Sequence, residues 1–142
     1  MSRFEQLRAD WEAQPVCTAL HIRVDELGEG YAKLSMPRTD VTVGGVRNSI
    51  NGGVIAAYAE LAGRLALSTM LEEGESIDGT VDLSVSFISA ARGDRTLAEA
   101  RLLRKGGRLC VSDVDIRDGE SGAINAKARV TTAIVRPPRD GS

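Results

Sequence analysis

The sequence predicts an α+β fold in which one antiparallel sheet wraps a single long helix. Three observations carry that expectation. From Val54 to Leu71 strong helix formers combine with apolarity around most of the helical circumference, so the segment reads as a helix buried on nearly all sides. Four β-type segments separated by glycine turns follow it, and two shorter ones precede it. A sheet folded around the helix is the economical way to bury it.

The elements follow in order. Ser2 with Glu5 three residues on is a capping-box signature, and Phe4, Leu7, Arg8 and Trp11 mark one face of a short amphipathic helix within 1–14 that Pro15 helps to terminate. Val16 to Glu26 and Tyr31 to Met36 read as strands around Gly28-Glu29-Gly30, followed by an irregular loop from Pro37 to Ile50. The long helix should stop at Glu72-Glu73-Gly74. Val81, Leu83, Val85 and Phe87 alternate with Asp82, Ser84 and Ser86, the period of a half-buried strand. Thr96 to Arg104, Leu109 to Arg117 and Ile124 to Val135 complete an expected meander of four strands, and a frayed tail is expected over 136–142.

At 142 residues the chain fits one domain spanning 1–142, long enough to bury about two-thirds of its unfolded surface. A formal charge of −2 gives no basic field for nucleic acid. No apolar run approaches the roughly 20 residues of a membrane span, and the charged opening residues do not read as a secretory signal. A cytoplasmic protein is expected. Cys17 and Cys110 lack the spacing of a disulfide framework or a zinc site and read as reduced thiols in strands, so no metal is expected.

One feature of the long helix asks for chemistry. Behind Asn51-Gly52-Gly53 the apolar run carries a lone carboxylate, Glu60, and a charge is rarely buried without a partner. Amides at a helix start lack intrahelical partners and sit at the positive end of the dipole, so Gly52 and Gly53 could offer N–H groups to a carbonyl oxygen gaining charge. The competing structural reading pairs Glu60 with Arg64 at i, i+4.

Asn51-Gly52-Gly53 with Glu60, the strand motif Gly79 to Phe87, and the order of elements from about Val16 to Val135 together resemble the hotdog-fold acyl-CoA thioesterases of the phenylacetate-degradation type. The family usually has His-Gly-Gly where this chain has Asn51; an amide can donate a hydrogen bond but cannot titrate. The resemblance implies hydrolysis of an acyl-CoA to a free acid and CoA without metal or redox cofactor. It implies Glu60 as general base or nucleophile, Gly53 with Asn51 polarising the carbonyl, and Thr80 helping to hold the water or acid. Asn48 and Gly52 become candidate substrate contacts with Arg64, and Arg104, Lys105 and Arg108 candidate partners for CoA phosphates.

Gly53 and Glu60 lie about 10.5 Å apart along a helix rising 1.5 Å per residue, while a base works at about 3 Å. Two antiparallel helices across a two-fold axis would bring the amides of one chain to the acid of the other. A homodimer is therefore expected, and the resemblance implies pairing into a homotetramer. Two other readings stand beside this one. A hydratase or dehydratase on the same fold wants a histidine near the helix, and the sole His21 lies elsewhere. A non-catalytic acyl-CoA or acyl-carrier binding protein would leave Glu60 structural.

Overall fold

The computed structural model describes residues 1–138, so the expected tail lies outside the described residues from position 139 onward. Ten elements follow one another: α1 Arg3–Glu12, α2 Pro15–Leu20, β1 Arg23–Gly28, β2 Tyr31–Pro37, a 3-10 turn at Val46–Asn48, α3 Gly52–Ser68, β3 Ser76–Phe87, β4 Arg95–Lys105, β5 Leu109–Asp118 and β6 Ile124–Val135. The capping box at Ser2 and Glu5 forms with both of its hydrogen bonds.

The strands make one antiparallel six-stranded sheet in the order β1-β2-β4-β5-β6-β3. The expected four-strand meander is corrected here. β4, β5 and β6 pair consecutively, but β3 crosses to the far edge and pairs with β6, leaving β4 beside β2. Local pattern marks where strands lie, and most consecutive strands are neighbours. The exceptions are the two links of β3, from β2 through α3 and onward to β4.

A second correction falls on Val16 to His21. Pro15 does close off α1, holding Gln14 extended at ψ 140°, but it also occupies the first turn of α2, where its missing N–H and fixed φ suit a helix start. Cys17 therefore sits in a helix rather than a strand, while Cys110 is in β5 as expected. His21 closes α2 in the left-handed region at φ 56°. Six residues are too few for helical periodicity to show against an apolar run.

α3 packs on one face of the sheet, chiefly against β4 and β5. Ile55, Tyr58, Ala59, Ala62, Leu65 and Ala66 are buried against it, and the Tyr58 hydroxyl donates to the Thr96 carbonyl at 2.9 Å. Burial pushes that phenol well above its ordinary pKa, so it remains a neutral donor. Gly63 lets the helix approach the strands closely: a Cβ there would lie 2.8 Å from Val130 Cγ2, and Ser112 Oγ donates to the Gly63 carbonyl at 3.1 Å. The far end of α3 is held from α1, whose Arg3 Nη2 donates to the carbonyls of Thr69 and Leu71 at 2.9 Å each. A guanidinium at a helix C-terminus satisfies carbonyls that have no partner in the helix and complements the dipole.

At that end Glu75, its side chain 3% exposed, accepts from Lys105 Nζ at 2.7 Å and Arg136 Nε at 2.9 Å. The Lys105 hydrogen bond is the main cause that holds the Glu75 carboxyl below its usual range.

Gly63→Ala tests the close seat of the helix. Alanine favours a helix interior over glycine by about 1 kcal/mol, yet overpacking against a stiff valine costs about 1–3 kcal/mol. The net expectation is a lowered midpoint in urea unfolding.

Candidate active site

The start of α3 is built by Asn51. Its Oδ1 accepts from the Gly53 amide at 2.8 Å, making it the helix N-cap. Gly53 is thus engaged inside the chain rather than standing bare, because a capping asparagine competes for the N-terminal amides. With Oδ1 so used, Asn51 Nδ2 lies beside Gly44, 3.6 Å from where a Cβ there would stand. Among the described residues neither Nδ2 nor the Gly52 N–H has a hydrogen-bond partner, and each is a donor at the positive end of a helix of 17 residues.

Glu60 does not lie buried as the apolar run suggests. In the single chain its side chain is 35% exposed and its Oε1 is 4.0 Å from Arg64 Nη1. Gly53, Ala56, Ala57, Glu60, Arg64 and Ser68 form a stripe of α3 that the sheet leaves uncovered. The helix is therefore buried on most sides but open along one. Arg64 Nε, in contrast, is buried without a hydrogen-bond partner among the described residues.

Thr80 occupies an irregular part of β3, opposite Thr132 and between two register shifts, and its Oγ1 is buried without a partner among the described residues. Bulges of this kind re-aim side chains and recur beside active sites. Asn48 takes a turn role: it adopts φ 62° beside Arg47 at φ 56°, and its carbonyl accepts from Arg38. Asparagine tolerates that left-handed geometry better than most residues.

The structure does not bring Arg104, Lys105 and Arg108 near the start of α3 within one chain. Lys105 pairs with Cys110 across the β4–β5 ladder, and the Arg108 carbonyl accepts from Ile134 near the end of β6. The α3 start lies instead beside Phe87, which pairs with Ala126 at the beginning of β6. From Ala126 to Ile134 is about 26 Å along a strand. Lys105 is bound to Glu75, while Arg104 and Arg108 make no ion pair among the described residues. Nor, among those residues, do three His, Cys, Asp or Glu side chains gather into a metal-binding cluster.

One feature escaped the motif reading. A cavity of about 370 Å³ opens beside Gly52, between the 45–50 loop, the link after β3 and the start of β6. Asn125 stands in its wall, its Nδ2 donating to Ser89 Oγ and the Ala90 carbonyl. The available signal was the crossing link itself, which local pairing rules did not reveal.

A six-stranded antiparallel sheet around one long helix is the hotdog architecture. The sequence model of the thioesterase superfamily matches residues 47–124, and this chain belongs to that family of thioester hydrolases. Among relatives, the medium/long-chain acyl-CoA thioesterase YigI of Escherichia coli K12 is 29% identical over 119 residues, covering 75% of this chain and 77% of YigI. The crystal structure of a thioesterase from Haemophilus influenzae superposes with a TM-score of 0.84 at 25% identity, over 100% of this chain and 96% of that one. A phenylacetic acid degradation-related protein of Ralstonia eutropha JMP134 shares the fold at TM-score 0.79 and 23% identity, over 92% of this chain and 97% of its own. Among the described residues no helix is long and apolar enough to cross a membrane.

The two oxygens of a carboxylate can cap Gly53 as the Asn51 carbonyl does, but neither can donate. Asn51→Asp should therefore keep or slightly raise the thermal midpoint, where Asn51→Ala should cost about 1 kcal/mol by losing the cap. Parallel melts of the two variants check this.

Proposed function

We propose that the chain hydrolyses acyl-CoA thioesters at two equivalent sites, each made by two copies of the chain. Glu60 of one copy faces the start of α3 of the other. The Gly52 N–H and Asn51 Nδ2 donate to the thioester oxygen, with Gly53 holding Asn51 in place. As the carbonyl carbon is attacked, its oxygen gains charge and these donors stabilise it in a position fixed beforehand. Glu60 serves as base for the attacking water or as the attacking carboxylate itself. The carbon–sulfur bond then breaks, sulfur leaves with a proton as free CoA, and water supplies the oxygen of the released acid.

The observation that carries this reading is the pairing of unused donors at the α3 start with a carboxylate two turns along the same helix, beyond reach within one chain. The single chain also leaves open what a second copy would cover. β3 is a 12-residue edge strand whose outer side has no partner strand among the described residues. Such an edge is a ready template for another strand, and the uncovered stripe of α3 accompanies it. The names of the relatives support acyl-CoA as substrate. Two free thiols suit the cytoplasm, and pairing of dimers into tetramers follows the family resemblance.

Glu60→Gln keeps the shape and removes the charge. Its kcat toward acyl-CoA should fall by roughly 10²-fold or more, read as thiol release over a panel of short, aryl and long acyl groups. An unaltered rate removes Glu60 from the mechanism, and no turnover by the native chain with any member of the panel favours a binding protein.

Mixing decides whether sites are shared. Glu60→Gln and Asn51→Asp chains should each be nearly inactive. Unfolded together and refolded, they should recover about a quarter of native activity, since half the dimers are mixed and each holds one intact site. Sites contained in single chains would recover nothing.

A further inference from the structure

The cavity beside Gly52 has a floor and a mouth of different character. Its floor is formed by Ile50, Ile55, Ala91 and Ala126, all buried, with Ala126 only 1% exposed. Its mouth carries Phe87 and Ile88, which are 60% and 56% exposed although large and apolar. Exposed apolar side chains gathered at an opening mark a place where an apolar ligand enters. Gly52 lines the cavity, and the Phe87 ring lies against that residue: a Cβ on Gly52 would be 3.4 Å from it.

The wall is tied down. Asn125 Nδ2 donates to Ser89 Oγ at 3.2 Å and to the Ala90 carbonyl at 3.3 Å, while Ser89 Oγ donates to the Ile124 carbonyl at 2.6 Å. The Ile88 amide donates to the Asn125 carbonyl and the Ile50 amide to the Ala91 carbonyl, each at 2.9 Å. A wall pinned this way gives a length limit rather than a yielding surface.

Resting on the proposed function, we propose that this cavity takes the acyl chain, and that its occupant is aliphatic and of medium length, about eight to twelve carbons if each methylene fills about the volume of a liquid water. Ala91 and Ala126 set that limit. Beside the polar Ser49, Ser89 and Asn125, the apolar part of the lining is aliphatic apart from Phe87, which lies against the helix start, so a flat aryl group finds no opposing ring. Methyl-sized floor residues leave depth that leucine would fill.

The test compares kcat/KM for butyryl-, octanoyl-, decanoyl-, palmitoyl- and phenylacetyl-CoA in the native chain, Ala126→Leu and Ala91→Leu, with thermal melts to confirm folding. The native profile should peak at octanoyl or decanoyl. In either leucine variant the ratio of decanoyl to butyryl should fall by roughly 10-fold or more, because each methylene in an apolar pocket is worth that order of discrimination. Two variants at separate floor positions keep the test valid if one fails to fold. A folded variant that keeps the native ratio overturns the assignment, as it would if a partner chain closed the cavity. So does a native preference for phenylacetyl-CoA, which would leave thioester hydrolysis standing. Failure of the native chain on all five substrates would instead count against the hydrolase reading.

Discussion

The structure depends on how closely α3 sits on the sheet. Gly63 has no side chain to hold the helix off, Val130 occupies the space, and Ser112 ties the helix carbonyl to β5. Interiors packed to crystal density transmit such a contact along both surfaces. The depth of α3 determines how its start meets Phe87 and how its open stripe lies beside β3. Arg3 at one end and Asn51 at the other finish the helix, one satisfying carbonyls and the other an amide.

Much of this was legible in the residues. Alternation from Val81 to Phe87 located a strand, the Ser2–Glu5 box located a helix, and the apolar run behind two glycines located α3. What was not legible is non-local. That β3 pairs with β6 rather than β4 depends on pairings far apart in sequence, and period-two patterning is the same whichever neighbour a strand has. Pro15 was ambiguous because proline suits both the end of one helix and the first turn of the next.

The candidate site divides along the same line. Asn51, Gly52, Gly53 and Glu60 were visible because glycine pairs and lone acids are unusual in an apolar helix. Their arrangement was not: a side chain that caps its own helix cannot be told by residue type from one that faces a ligand. The exposure of Glu60 is not legible because an apolar sequence around a residue says little about an angular gap in what covers it. The cavity was hidden for a further reason, since its floor is made partly of alanines, and alanine in a sequence carries no sign of the empty volume beside it.

The outer side of β3 has a consequence for how such a chain behaves when scarce. If each site needs two copies, the number of working sites in dilute solution varies with the square of chain concentration. Turnover per chain would then drop on dilution and return on concentration, with the substrate and every residue unchanged. A cell expressing few copies would hold far less activity than the number of chains implies, and the β3 edge would govern when the activity switches on.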